Sequence, residues 1–181
     1  MNDRKKTATR RKKKSSIAYY HLCPTAFGYS GILFQINPFL LKGIFLPRST
    51  KRDLLKKIKE DAPAKPAHTK EGLIICKEIQ GYFEGNAVKT RWELLDLGGF
   101  TPLQFSVLKA TAQVPYGEVR SYGQIATQVG RPRASRFVGT TLSRNPFPIF
   151  IPCHRIVRAD GSPGGFGGGT DLKRRMLLLE K

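Results

Sequence analysis

The segment Asn145-Pro146-Phe147-Pro148-Ile149-Phe150-Ile151-Pro152-Cys153-His154-Arg155-Ile156-Val157 sets a thiol between a proline and a histidine at the end of an apolar run. The nucleophilic form of cysteine is the thiolate. Cys153 must therefore lose a proton that a free cysteine holds up to about pH 8.5, and a neighbouring imidazole, a cation such as Arg155 or a helix N-terminus are the usual means. Successive side chains of an extended segment point to opposite faces, so the spacing predicts that His154 serves Cys153 through a turn or a bridging water. A Cys-His dipeptide alone is more often an inert cysteine beside a surface histidine, and it is the whole string that carries the nucleophile reading.

Two other features invite chemistry and do not support it. Gly164-Gly165-Phe166-Gly167-Gly168-Gly169 lacks the Lys-Ser/Thr of a phosphate-binding loop and follows no strand-to-helix pattern, so it reads as a flexible pocket wall. Cys23, Cys76 and Cys153 are an odd number in a chain with no export signal, which argues against a disulfide framework and leaves at least one free thiol. His21 near Cys23 and His68 near Cys76 have no familiar zinc-ligand spacing, so these two cysteines are expected to be structural, with no metal or cofactor.

The elements that must position Cys153 lie after Gly98-Gly99. Thr101-Pro102-Leu103-Gln104 offers a cap, a proline at the first helical position and a glutamine that reaches back, predicting a helix to about Gln113. Pro115-Tyr116-Gly117 breaks it. Ser121-Tyr122-Gly123-Gln124 repeats the capping pattern ahead of Ile125, Ala126 and Val129, with Gly130 as the stop, and Pro132 is expected to start a third helix through about Ser143. Two short helices joined by a glycine-containing turn form a helix-turn-helix pattern, whose second member is expected to carry Arg131, Arg133, Arg136 and Arg144. A structural hairpin with a solvated basic face fits that pattern equally well.

Before Gly98 the signals differ. Ile17–Cys23, Tyr29–Ile36 and Phe39–Leu46 are short β-prone runs separated by turn residues, predicting a small antiparallel sheet. Ser49–Lys59 and Glu71–Phe83 show helical spacing, and the Pro/Ala-rich segment Ala62–Ala67 joins them. No constellation of catalytic residue types occurs here, so this part is expected to be scaffold. The whole is an α/β chain divided into a basic arm (1–16), an α/β domain (17–97) and a mainly helical domain (98–181).

The net charge of +19 over 181 residues points to a polyanionic partner, and nucleic acid suits it better than a membrane surface. Residues 1–16 hold eight Lys/Arg and one acid with no apolar anchor, which predicts a disordered arm that either solubilises the chain or contacts phosphates. No run approaches the roughly 18 apolar residues of a membrane span. An intracellular location is expected, cytoplasmic or nucleoid-associated, or nuclear in a eukaryote.

Cys153 and its flanks resemble the Pro-Cys-His-Arg-Val hallmark of the O6-alkylguanine-DNA alkyltransferase family, with Ile156 in place of the usual valine. The resemblance runs from Phe105 to Glu180 and includes Tyr116-Gly117-Glu118-Val119, Ser121-Tyr122, Val138-Gly139, Arg144-Asn145-Pro146 and Phe166-Gly167-Gly168. It implies a winged helix-turn-helix domain behind an RNase H-like N-terminal domain. The implied activity is irreversible, stoichiometric transfer of a methyl or other alkyl group from O6 of guanine, or O4 of thymine, in double-stranded DNA to Cys153 of a monomer.

By that resemblance His154 acts through a water and Glu180 orients it. Tyr122 drives the phosphate round and protonates the leaving base, and Arg136 enters the base stack in place of the extruded nucleotide. Arg133, Ser135 and Arg144 join the DNA face, Asn145 is a hinge, and Arg155, Phe166, Gly167 and Gly168 border the pocket. Phe166 stands where tyrosine is usual and donates no hydrogen bond. Phe137 and Thr140 stand where small residues let the helix sit deep in a groove. A damage sensor without an acceptor and a cysteine hydrolase are the competing classes, and no oxyanion-hole signal supports the second.

Overall fold

Three strands open the described chain, which covers residues 17–181 in this computed structural model; the basic block at 1–16 lies outside the described residues. They are β1 (Ala18–Thr25), β2 (Gly28–Gln35) and β3 (Leu40–Arg48), paired antiparallel as their β-prone runs and intervening turn residues lead one to expect. α1 (Lys51–Asp61) and α2 (Lys70–Phe83) follow, each started by a threonine whose hydroxyl accepts from a first-turn amide, Thr50 from Asp53 and Thr69 from Gly72.

The period-two pattern of β2 distributes these helices. Gly31 and Leu33 face α1, where Leu54 and Ile58 are fully buried, and Ile32 and Phe34 face α2 beside Gly72. The Pro/Ala-rich joint departs from expectation: Ala64–Pro66 forms β4, which pairs parallel with β1, so the sheet is mixed, in the order β3-β2-β1-β4. Proline fits there because β4 is an edge strand, where a missing N–H costs no ladder bond.

Cys23 and Cys76 are joined as a disulfide, against the expectation that the odd number of cysteines forms no disulfide framework. They lie 53 residues apart in sequence, and only the packing of α2 on β1 brings their Cα atoms to 5.3 Å. Spacing alone carries no sign of that approach.

In the second half α3 (Pro102–Ala112) and α4 (Tyr122–Gln128) begin with the reciprocal Thr101/Gln104 and Ser121/Gln124 boxes expected of them. The next helix, α5 (Ser135–Ser143), starts later than Pro132. It has no side-chain cap, and Arg131 and Arg133 sit in the turn before it, so of the four arginines only Arg136 is within the helix while Arg144 caps its end. β5 (Arg120–Ser121) and β6 (Ile156–Val157) form a short parallel pair across the helix-turn-helix, and α6 (Thr170–Leu179) closes the chain.

The two halves share one hydrophobic cluster that includes Phe34 and Tyr82 from the first and Phe147, Phe150 and Met176 from the second. A backbone bond fastens the joint, the Ile44 amide donating to the Pro146 carbonyl (2.7 Å), while within the first half the Asp96 amide donates to that of Leu41 (2.8 Å). The outer strand β3 is thereby tied to the segment that leads into Cys153. Among the described residues no helix is long and apolar enough to cross a membrane.

Candidate active site

Cys153 is not on an extended segment. The chain leaves α5 at Asn145, turns through Pro146–Ile149 and enters a 3-10 turn at Cys153–Arg155. The turn places buried Ile149 at φ +77°, a conformation that costs a β-branched residue on the order of 1–3 kcal/mol and persists only where surrounding contacts impose it. Those contacts include the Ile151 amide donating to the Phe147 carbonyl (2.8 Å) and the Thr90 hydroxyl donating to the Phe150 carbonyl (2.5 Å).

Asn145 spans the turn from inside. Its amide nitrogen donates to the Ile151 carbonyl (2.9 Å) and to Cys153 Sγ (3.2 Å), and its oxygen accepts from the Phe147 amide (3.0 Å). Cys153 is the free thiol among the described residues and is buried. Burial pushes the thiol up; the Asn145 bond and the charge of Lys173 oppose that rise. Lys173 projects from α6, is fully buried, donates to the Ile156 carbonyl and lies 5.8 Å from the centre of the Tyr122 ring. Its own desolvation brings it down to about 8, with Cys153 pulling the other way.

His154 faces away from this amide and into the core. Its Nε2 lies 2.7 Å from Glu180 Oε1 and 3.0 Å from the Tyr82 hydroxyl, which itself donates to Glu180 Oε1 at 2.8 Å. Glu180 also accepts two bonds from Arg155, at 2.8 and 3.1 Å, and one from the Gly117 amide at 3.2 Å. Burial works against the Glu180 charge, but the hydrogen bonds from His154 and Arg155 outweigh it and hold the carboxyl at about 2. An ionised carboxylate only accepts, which assigns the proton of a neutral His154 to Nε2 and leaves Nδ1 as the basic nitrogen. Nδ1 is buried with no hydrogen-bond partner among the described residues, and burial lowers the imidazole, favouring the neutral ring.

The Pro115-Tyr116-Gly117 break has a second use here. Gly117 has φ +79°, and a Cβ on it would lie 2.9 Å from the Glu180 carbonyl, so only glycine brings that amide against the chain end. Arg155 was expected to help lower the thiol. Instead its guanidinium is buried against Glu180 and the Val114 carbonyl, where it anchors the carboxylate.

On the outside, Arg133, Arg136 and Arg144 are exposed and Ser135 is half-buried at the first position of α5. Tyr122, half-buried at the start of α4, packs against the Gly164 backbone so closely that a Cβ there would meet its hydroxyl at 3.0 Å. Phe166 stands edge-on to His154 with ring centres 6.4 Å apart. Gly167 and Gly168 border a cleft of about 500 Å³ between β3 and the 143–148 turn, together with Arg144 and Asn145. Of the two bulky positions on α5, Phe137 is half-buried against the core and only Thr140 is exposed.

The chain superposes on the O6-methylguanine methyltransferase of Mycobacterium tuberculosis with a TM-score of 0.71 and 32% identity, over 91% of this chain and 93% of the other. The chain belongs to the O6-methylguanine methyltransferase family. The family's profile described as "6-O-methylguanine DNA methyltransferase, DNA binding domain" matches residues 102–181. Among similar methyltransferases, the methylated-DNA–protein-cysteine methyltransferase of Mycobacterium bovis is 47% identical over 104 residues, which is 58% of this chain and 62% of that protein. The one from Methanosarcina barkeri is 42% identical over 106 residues, 59% of this chain and 66% of that protein. The matched segment is thus under two thirds of either methyltransferase. The Mycobacterium tuberculosis methyltransferase has also been solved in complex with DNA, and that structure matches with a TM-score of 0.69 and 33% identity over 90% of this chain and 92% of the other.

Sequence reasoning missed two residues of this site. Tyr82 was passed over because the first half was read as scaffold, yet it reaches both His154 and Glu180. Lys173 stands in a basic stretch, Lys-Arg-Arg at 173–175, and carries no motif of its own. Its position one residue after Leu172 and three before Met176, both buried, was the available signal that it lies on the inner face.

Proposed function

We propose that this chain repairs DNA by direct reversal, flipping an O6-alkylated guanine from a duplex and transferring the alkyl group irreversibly to Cys153. The observation that carries the reading is the pairing of one free thiol, hydrogen-bonded by Asn145, with an adjacent His154–Glu180 pair whose only basic nitrogen is Nδ1. The thiol proton passes to His154, through a bridging water. The thiolate attacks the alkyl carbon in line with its bond to O6, the C–O bond breaks with its electron pair left on guanine, and the Tyr122 phenol protonates the departing base. The phenolate is then reprotonated from the imidazolium or solvent. The products are a thioether and guanine, and nothing returns the sulfur to its starting state.

A stacked guanine hides its O6 substituent, so extrusion precedes transfer and costs a few kcal/mol of unstacking. Exposed Arg136 on α5 suits the vacated space because a planar cation fills the gap and donates to the orphaned base. Arg133, Ser135 and Arg144 hold neighbouring phosphates, and Tyr122 turns the phosphate beside the flipped nucleotide. Phe166, Gly167 and Gly168 wall the base. The unit is a monomer made of a 17–97 domain and a 98–181 domain, acting on duplex DNA in the cytoplasm or nucleoid, or in a eukaryotic nucleus.

A duplex carrying a radiolabelled O6-methyl group tests the reading. Label should move to the protein and stay there, and Cys153→Ser should bind the duplex without taking label. Release of label as free methanol would instead indicate a hydrolase, and retention of label on DNA a sensor.

A further inference from the structure

The first half of the chain contributes one polar side chain to the His154–Glu180 pair. Tyr82 lies on α2, is fully buried, and has its hydroxyl 2.8 Å from Glu180 Oε1 and 3.0 Å from His154 Nε2. A tyrosine placed only to fill the core needs neither contact. We propose that Tyr82 is a positioning residue of thiol activation: by donating to the carboxylate oxygen that His154 uses, it keeps the imidazole neutral and its Nδ1 free to take the Cys153 proton. The proposal rests on Cys153 being the alkyl acceptor.

Three donors compete for a single oxygen. Glu180 Oε1 receives His154 Nε2–H, the Tyr82 hydroxyl and the Arg155 guanidinium. Each donor withdraws negative charge from the carboxylate, and what remains is what would stabilise an imidazolium. Of the other charges that face His154, Arg155 and Lys173 both oppose its protonation, and only Glu180 favours it. The Tyr82 hydroxyl is the one adjustable member, because it is neutral and tempers Glu180 without adding repulsion. Burial and the Glu180 charge raise the phenol far above its ordinary range, with Tyr116 adding to this and Arg155 opposing it, so Tyr82 stays a donor throughout the pH range of folding. Tyr82 also makes edge-on contacts with Phe83, Tyr116 and the His154 ring, which fix its direction.

Removing the hydroxyl therefore strengthens Glu180 as a partner for imidazolium. In Tyr82→Phe, His154 titrates at higher pH, and the acidic limb of thiol reactivity moves with it.

The test measures the rate at which iodoacetamide alkylates the folded protein as a function of pH, followed by intact mass. It uses the full chain with the Cys23–Cys76 bond intact, so Cys153 reports alone. NMR titration of the His154 ring is read in parallel. Tyr82→Phe is expected to move the acidic limb and the ring titration upward together by about half a pH unit or more. A folded Tyr82→Phe protein with both unchanged overturns the proposal and leaves Tyr82 a packing residue. Should that variant fail to fold, 2,3-difluorotyrosine incorporated at position 82 decides: its more acidic hydroxyl donates more strongly, so the limb must move down, and an unmoved limb overturns the proposal. Iodoacetamide needs no DNA. A protein that takes nothing from alkylated duplex yet shows the shift refutes the proposed function while the role of Tyr82 stands.

Discussion

Asn145 Nδ2 lies 3.2 Å from Cys153 Sγ while the same nitrogen donates to the carbonyl of Ile151, so one amide holds both the thiol and the turn that presents it. Asn145 follows directly on the Arg144 cap of α5, so the end of that helix is tied to Cys153 Sγ through one side chain.

Asn145→Ala removes three hydrogen bonds, two of them to backbone groups in a partly buried turn. The expected loss is roughly 2–3 kcal/mol of stability, read by denaturant unfolding. The thiol should also titrate higher than in the parent protein, because the Asn145 bond favours the thiolate. A variant that loses stability but keeps the parent thiol titration would confine Asn145 to the turn.

Glu180 makes stability depend on acid. Its folded carboxyl sits at about 2 against an ordinary 4.5, so its contribution is present above pH 4.5 and is lost as pH falls through 2. His154 acts in the same direction: its folded value is depressed below 6.5, the unfolded chain takes the proton first, and stability starts to fall below that pH. Denaturation midpoints should therefore decline from about pH 6.5 downward. Glu180→Gln should flatten the decline below 4.5 and cost about 3–5 kcal/mol at neutral pH by leaving buried Arg155 uncompensated.

Lys173 supplies a buried positive charge that lowers the Cys153 thiol. Lys173→Met fills similar volume without it, so thiol alkylation at pH 7 should slow by roughly tenfold. The gap between variant and parent should close above about pH 8, where Lys173 itself loses its charge. A constant ratio across that range would show that Lys173 acts through packing.

Arg136→Ala tests the division between extrusion and chemistry. Transfer from duplex should fall by one to two orders of magnitude, since the inserted side chain offsets a few kcal/mol of unstacking. Reaction with free O6-alkylguanine should stay within about twofold, because no extrusion is needed. Equal loss on both substrates would move Arg136 from the DNA face into the chemistry.

Much of this was legible from local pattern. The caps at Thr101 and Ser121 are short-range hydrogen-bonding rules, the β-prone runs of the first half are set off by local turn residues, and both appear in the fold as written in the chain. The start of α5 was misplaced because Pro132 is compatible with a helix start but does not compel one, and no Ser, Thr, Asp or Asn stands at Ala134 to supply a side-chain cap. What could not be read is what depends on approach across the fold. Cys23 meets Cys76 over 53 residues, and Tyr82 meets Glu180 over 98. Cys153 and His154 were legible because they are adjacent, and Glu180 only because family resemblance fixed its register. Arg155 follows the thiol closely in sequence, which makes it a candidate to lower Cys153, whereas the 3-10 turn sends its side chain to Glu180.

The most direct test of the account is intact-mass and peptide analysis of the protein after incubation with excess O6-methylguanine duplex. One methyl group per chain, located on Cys153 and unchanged by further incubation, with plain guanine left in the DNA, is the predicted result. Repair of more lesions than there are protein molecules, or a methyl group carried on any other residue, would contradict it.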